Sequence, residues 1–250
     1  MRTPLAVGII PARYQSTRFP GKPLVSILGK PMIIWVCEAT ATALGKKNTY
    51  VATDSITIKD EVESYGYNVI MTSEKCLTGT DRVAEASRHI LADVYLNIQG
   101  DEPMIEPRDI RHILNQKMKF PNHVVNGKKI ISNEDVNDRN LIKVVCNADD
   151  ELIYMSRLPV PGTKGDGRIN PIYYKQICLY AYSKAELAAF YANVKADYER
   201  AEDIEILRFF NLGIRVKMIE TFRDTIAVDI PSDVKKVEMA MINKQKLNLL

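Results

Sequence analysis

Residues 5–10 read LAVGII, and Pro11 follows them. A short, nearly all-apolar run that ends at a proline is typical of a parallel β-strand buried on both faces. The polar loop after such a strand is the place where ligands bind in open α/β sheets. This stretch therefore predicts the first strand of an α/β fold and a ligand site directly after it.

The same alternation continues outward from this strand. Apolar residues recur at helical spacing from Met32 to Leu44, and Gly45 is a typical residue to close that helix. Further strands are predicted at 49–52, 68–71 and 94–98, and further helices at about 56–65 and 81–91. Such βαβ repetition predicts an α/β fold with a mainly parallel sheet flanked by helices. After a helix beyond Pro107, strands near 142–146, 151–155, 177–182 and 213–219 predict a mixed second half.

The composition excludes several classes of protein. A chain of 250 residues, 46% of them hydrophobic, can form one α/β domain over residues 1–250. Its net charge of +3 and dispersed cations do not indicate nucleic-acid binding. No window approaches the roughly 20 apolar residues of a membrane span, and the N-terminus lacks a signal-peptide pattern. The four cysteines form no close pair that would hold zinc. We expect a cytoplasmic protein with reduced thiols and neither nucleic-acid nor membrane partners.

The first loop, PARYQSTRFPGKPL at residues 11–24, carries three cations, Arg13, Arg18 and Lys22. Arginine grips phosphate or carboxylate bidentately, so the loop predicts an anion site that suits a triphosphate. Neither GxxxxGK[ST] nor GxGxxG is present. The alternative is an ordinary charged surface loop.

Two aspartates have the chemistry of metal ligands. Asp101 follows the predicted strand at 94–98, where a hard oxygen ligand can hold magnesium against phosphates. Asp229 precedes a helix start at Pro231 and can supply a second carboxylate. The alternative is that both are ordinary turn or helix-cap residues, because aspartate favours such positions.

Several motifs in order resemble the 3-deoxy-manno-octulosonate (Kdo) cytidylyltransferases. These are PARYQSTRFPGKPL, GKPM at 29–32, VATD at 51–54, TGTDR at 78–82, NIQGDEPMI at 97–105, YMSR at 154–157, YYKQICLYAY at 173–182 and VDIPSDV at 228–234. The resemblance spans nearly the whole chain and implies a glycosyltransferase-A-like nucleotidyltransferase fold. It implies a single cytidylyltransferase domain, with residues 1–120 mainly binding nucleotide and residues 121–250 mainly binding sugar and forming a homodimer.

The activity implied by this resemblance is transfer of CMP from CTP to an acidic 3-deoxy-2-keto sugar, with Mg²⁺ and release of pyrophosphate. The product would enter lipopolysaccharide or capsule. Catalytic roles fall on Arg13, Lys22, Asp101 and Asp229, the two aspartates as metal ligands. The nucleotide-binding residues are Ala12, Arg13, Lys22, Thr78, Gly79, Thr80 and Arg82. For the TGTDR loop a helix N-cap is the alternative, and both roles can hold together.

For the sugar acid, the resemblance implies contacts from Arg18, Gln99, Gln176, Tyr180 and Glu205. The sequence departs from the family at three places: Gln176 stands for a usual histidine, Ile206 for a usual glutamine, and the arginine expected shortly after Arg157 is missing. An altered polar set changes which substituents a pocket accepts. The exact ulosonic acid therefore stays open, and so does the alternative that the alignment is shifted in register around residues 177–210.

Two other functions remain open from the sequence. One is a nucleotidyltransferase that joins another nucleotide to another sugar, although the first loop lacks the GxGxR pattern of those enzymes. The other is a degenerate homologue that binds CTP or a sugar acid without turnover. Retention of the full set of phosphate-binding and acidic residues argues against the degenerate homologue.

Overall fold

The computed structural model describes residues 5–15, 19–165 and 171–247, with side chains to residue 244. The strands are β1 (Ala6–Ala12), β2 (Ser26–Ile27), β3 (Lys30–Pro31), β4 (Thr49–Thr53), β5 (Asn68–Met71), β6 (Val94–Ile98), β7 (Val124–Ile130), β8 (Lys143–Cys146), β9 (Leu152–Ser156), β10 (Tyr174–Tyr182) and β11 (Val216–Glu220). The helices are α1 (Met32–Leu44), α2 (Ile56–Ser64), α3 (Gly79–Ser87), α4 (Pro107–Lys119), α5 (Lys184–Tyr191), α6 (Asp197–Glu202), α7 (Ile206–Asn211) and α8 (Pro231–Leu247).

One large mixed sheet organises these elements, in the order β11-β7-β10-β6-β1-β4-β5, and β8 and β9 extend it from β10. Strand β1 is parallel to both β4 and β6, and β4 is parallel to β5. Strand β10 runs antiparallel to β6, β7 and β8. The predicted fold class, an α/β fold with a mixed sheet, is confirmed.

Helices cover both faces of the sheet because successive residues of its strands point to opposite sides. Ile10 of β1 packs in one apolar layer with Ile33 of α1 and Ile110 of α4. Ile9 packs in the other layer, to which α3, α5 and α7 contribute. The central strands are therefore buried on both faces.

Most predicted elements are present with shifted ends. The helix expected at 81–91 begins at Gly79 and ends at Ser87. The sequence does not predict strand β7, because its residues VVNGKKI include a glycine and two lysines and resemble a turn.

Within the described residues no helix is both long and apolar enough to cross a membrane. All four cysteines are free thiols, as expected.

Candidate active site

A cleft of about 270 Å³ opens where β1 and β6 end and α3 begins. Many of its lining residues are among those that the sequence singled out. They are Ala12, Arg13, Lys22, Thr78, Gly79, Arg82, Gln99, Asp101, Glu205 and Asp229. Thr80, Gln176 and Tyr180 do not line the cleft, and Arg18 lies outside the described residues.

Lys22 lies between the two predicted metal-binding aspartates. Its Nζ donates a hydrogen bond to Asp101 Oδ2 at 2.7 Å and lies 3.7 Å from Asp229 Oδ1. The first loop holds this lysine in place, because Gly21 N donates to Tyr14 O at 2.9 Å and so closes the loop just before Lys22. One ammonium group therefore faces two carboxylates from distant parts of the chain.

A main-chain contact brings Asp229 to Asp101. Val228 is fully buried against α8, and its N–H donates to Asp101 O at 3.0 Å. The next two amides, of Asp229 and Ile230, both donate to Asp233 Oδ2 at 3.1 Å in the first turn of α8. These amide contacts, together with the packing of Val228, thus fix the position of Asp229 relative to Asp101.

This donor set fits a magnesium ion of the substrate-bridging kind. Mg²⁺ in such sites takes one or two carboxylates and completes its shell with substrate phosphates and water. Among the described residues, no group of three or more His, Cys, Asp or Glu side chains could hold a metal alone. Asp101 and Asp229 provide two oxygen donors beside the cationic loop, which matches that requirement.

Glu102 adds little negative charge beside Asp101. Burial, reinforced by repulsion from Asp101 and opposed by a hydrogen bond from Thr225, raises the pKa of Glu102 to about 7. Its Oε2 is buried and has no hydrogen-bond partner. A carboxyl of this pKa is largely uncharged at slightly acidic pH, which leaves Asp101 and Asp229 as the principal anionic groups there.

The start of α3 forms the opposite wall of the cleft. Thr78 is the N-cap, and its Oγ1 accepts a hydrogen bond from Asp81 N at 3.1 Å. The carboxylate of Glu205 accepts from Gly79 N at 3.0 Å and from Thr80 N at 2.8 Å. Burial raises the pKa of Glu205, whereas these bonds favour its ionised form. The helix-cap interpretation of TGTDR therefore holds, and the amides of Gly79 and Thr80 are already occupied.

Arg82 is held in a fixed orientation at the edge of the cleft. Its Nη1 donates to Thr72 Oγ1 at 2.6 Å and its Nη2 to Asp54 Oδ2 at 2.7 Å. Asp54 was not predicted as a site residue. Its place in the VATD motif, directly after β4, could have indicated it, because ligands bind at the ends of parallel strands. The pair lines a second cavity that adjoins the first loop and shares Arg13, Cys76 and Arg82 with the cleft.

Gln99 lies against the start of α3. A Cβ added to Gly79 would meet Gln99 Nε2 at 2.9 Å, so a larger residue at position 79 would displace the end of this side chain. Gln99 thus lies between the Asp101 side and the α3 side of the cleft. The sequence indicated this proximity, because the loops at Thr78 and Gln99 both follow strands of the sheet and are expected to meet at one edge.

Gln176 and Tyr180 lie deeper than predicted. Gln176 is buried, and its Nε2 donates to Asn126 Oδ1 at 2.9 Å. Asn126 in turn donates to Ile177 O and Leu179 O, which fills the irregularity between β7 and β10. Tyr180 stacks on Tyr182 within the apolar layer. Neither side chain reaches the cleft.

Ile206 is also fully buried, in the same apolar layer as Tyr180. It does not line the cleft. Several residues that do line it were missed from the sequence: Pro11, Pro23, Met32, Cys76, Leu77, Gly100 and Asp203. Most are neighbours of predicted residues and carry no distinctive chemistry, so no sequence signal separates them from ordinary loop positions.

Comparisons with known proteins agree with this geometry. The model of the cytidylyltransferase family matches residues 7–219. The chain is 37% identical over 237 residues to the 3-deoxy-manno-octulosonate cytidylyltransferase of Escherichia coli, covering 94% of this chain and 96% of that protein. It is also 37% identical over 239 residues to the 8-amino-3,8-dideoxy-manno-octulosonate cytidylyltransferase of Shewanella oneidensis, covering 93% and 97%.

A solved structure gives the same result. CMP:2-keto-3-deoxy-manno-octonic acid synthetase, complexed with CTP, superposes with a TM-score of 0.87 at 36% identity, covering 96% of this chain and 99% of that one. Sequence and structure therefore agree over nearly the full length. The chain is an enzyme of the cytidylyltransferase family and belongs to its 3-deoxy-manno-octulosonate cytidylyltransferase group.

Proposed function

We propose that this enzyme transfers CMP from CTP to 3-deoxy-manno-octulosonate or a closely related 3-deoxy-2-keto sugar acid and releases pyrophosphate. The observation that carries the proposal is the cleft in which Arg13, Lys22, Asp101 and Asp229 meet at the ends of β1 and β6. Cations beside paired carboxylates suit a polyphosphate that arrives with a divalent metal ion.

The reaction needs no covalent enzyme intermediate. A hydroxyl oxygen of the sugar acid forms a bond to the α-phosphorus of CTP, the bond from that phosphorus to the bridging oxygen breaks, and pyrophosphate leaves with those electrons. The proton of the hydroxyl goes to solvent or to a basic group at the site. The enzyme's contribution is to position the reactants and to stabilise charge on the phosphate oxygens.

Arg13 and Lys22 would bind the phosphates, because both line the cleft on the side of the first loop. Asp101 and Asp229 would hold Mg²⁺, which when bound neutralises phosphate charge and orients the reacting oxygens. The contacts of Lys22 with both aspartates support this assignment, because they bring both carboxylates to one point. Lys22 would then exchange part of its carboxylate contact for phosphate when substrate enters.

The identity of the sugar acid is the finer part of the proposal. Relatives named for 3-deoxy-manno-octulosonate and for its 8-amino analogue share the same 37% identity with this chain. Gln99 and Glu205 line the cleft and would face the sugar. Buried Gln176, Tyr180 and Ile206 would influence the sugar only through the residues in front of them.

The test is pyrophosphate release from CTP, UTP, GTP and dTTP, each with both octulosonates, sialic acid and common sugar phosphates. We expect release with CTP and one or both octulosonates. Release with another nucleotide and a sugar phosphate would instead support the alternative nucleotidyltransferase.

The metal assignment has its own test. Removing divalent ions with EDTA should abolish turnover, and Mg²⁺ should restore it. Isothermal titration of Mg²⁺ into the CTP-loaded enzyme should show binding that Asp101→Asn weakens and Asp197→Asn, on the exposed surface of α6, leaves unchanged. Turnover by Asp101→Asn at the wild-type rate would exclude the assignment.

The same set of nucleotides and sugars tests the alternative of a degenerate homologue. Such a protein would bind CTP but release no pyrophosphate with any combination of nucleotide and sugar. Homodimer formation and a cytoplasmic location stay predictions. Light scattering of the purified enzyme and fractionation of cells test them.

A further inference from the structure

Arg208 of α7 is almost fully buried and joins three helices. Its Nη1 donates to Asp81 Oδ1 of α3 at 2.7 Å. Its Nε and Nη2 donate to both carboxylate oxygens of Glu199 of α6, at 2.8 Å and 2.7 Å. The guanidinium also lies 3.7 Å from the centre of the Phe190 ring of α5. An arginine with this many partners fixes its neighbours in one geometry.

The same short helix contacts α3 a second time. Glu205, which precedes α7, accepts from the amides of Gly79 and Thr80, and Arg208 holds Asp81. Three consecutive residues at the start of α3 are therefore attached to residues 205–208. Neither Arg208 nor Asp81 lines the cleft, whereas Thr78, Gly79 and Arg82 do.

We propose that Arg208 is a positioning residue for nucleotide binding, acting through Asp81 to hold the start of α3 in its CTP-binding position. The inference rests on the proposed function for its ligand, CTP. It assigns α7 the task of connecting the sugar-binding half of the chain to the nucleotide-binding half. Pre-organised walls bind ligand without a cost for ordering them, so loss of this contact should weaken CTP binding.

The two carboxylates of Arg208 offer matched variants. Asp81→Asn weakens the contact between α7 and α3, whereas Glu199→Gln weakens only the contact with α6. The side chain of Glu199 is 1% exposed and that of Asp81 is 13% exposed. Loss of the more deeply buried charge destabilises more, so Glu199→Gln should lower Tm more than Asp81→Asn does. Stability and CTP affinity are therefore expected to rank the two variants in opposite order.

The experiment is isothermal titration of CTP into each full-length variant without sugar acid, with Tm measured alongside. We expect Asp81→Asn to raise the Kd for CTP by about tenfold and Glu199→Gln to leave it close to the wild-type value. Equal effects, or a larger effect of Glu199→Gln, would show that affinity follows stability and would overturn the inference. If Asp81→Asn does not fold, Arg208→Lys, which keeps the charge and loses the planar fork, is expected to weaken CTP binding in the same way.

Hydrogen exchange separates failure of this inference from failure of the proposed function, because it requires no ligand. In the free protein, amides of residues 79–82 should exchange faster in Asp81→Asn than in Glu199→Gln. The positioning role would be wrong if these amides kept wild-type protection in Asp81→Asn. If the wild-type enzyme bound no CTP while the two variants showed the expected difference in exchange, the proposed ligand would be wrong. The role of Arg208 in holding α3 would still stand.

Discussion

The ammonium group of Lys22 lies 2.7 Å from the carboxylate of Asp101, across 79 positions of sequence. Lys22 also faces Asp229, so a single cation offsets part of the repulsion between two anions. This contact joins the phosphate-binding loop to the proposed metal ligands. Loss of the Lys22 charge or of the Asp101 charge should therefore affect both phosphate binding and metal binding.

Replacing Lys22 with methionine should lower kcat/KM for CTP by about 100-fold, because a cation is lost where phosphate charge develops. Steady-state pyrophosphate release measures this. Lys30→Met is the matched control, since Lys30 pairs with Glu38 and lies over Trp35 away from the cleft. Comparable losses in both variants would contradict the assigned role.

Replacing Arg82 with methionine should lower the free energy of unfolding by about 3 kcal/mol, because Asp54 then loses its buried partner. Urea unfolding gives this value, and a weaker affinity for CTP should accompany it. Arg88→Met, at the exposed end of α3, should change stability by less than about 0.5 kcal/mol. A stable Arg82→Met enzyme would show that Asp54 finds another partner.

Replacing Gly8 with alanine should destabilise the fold by about 1 to 3 kcal/mol through overpacking. The new Cβ would lie 2.4 Å from Thr40 Cγ2 and 3.1 Å from Ile98 Cδ1, so β1 and α1 must separate. Thermal unfolding measures the loss. Gly162→Ala is the control, because no atom lies within 4 Å of its Cβ position. An unchanged Tm for Gly8→Ala would contradict the close approach.

Cys76 should resist alkylation although it lines the cleft. Burial and, to a smaller extent, its hydrogen bond to Glu85 together raise the pKa of this thiol to about 12. The thiol therefore stays protonated throughout the neutral range. At pH 8 iodoacetamide should modify it at least about 100-fold more slowly than glutathione. Peptide mass spectrometry measures the rate, and Glu85→Gln should raise it. Rapid labelling of the wild type would contradict this prediction.

The sequence predicts the first half of the fold well, because the elements around β1 have the two periodicities of buried strands and amphipathic helices. It misses β7, whose two lysines satisfy their charges elsewhere. Lys128 pairs with Asp150, and Lys129 pairs with Glu220. Long-range pairing of this kind leaves no local pattern, so the strand has no signal within its own residues.

The candidate site divides in the same way. Residues that follow a strand directly, such as Arg13 and Asp101, are predictable because the edge of a parallel sheet gathers its loops. The depth of a side chain is not predictable: Gln176 and Tyr180 lie on β10, an interior strand that pairs with β6 and β7 on its two sides, and both side chains are buried. Arg208 lacked a signal because its partners come from three separate helices.

The cap on α3 has a consequence for how the enzyme attracts its substrate. Glu205 and Thr78 satisfy the first three amides of this helix, so its positive dipole end is already neutralised from within the protein. Phosphate-binding loops of other nucleotide enzymes use such a helix end, whose field comes from the backbone. Here the attraction for a polyanion depends on side-chain charges of the first loop, Arg13 and Lys22. Nucleotide capture by this enzyme should accordingly be sensitive to ionic strength, because dissolved salt screens exposed charges more than buried ones.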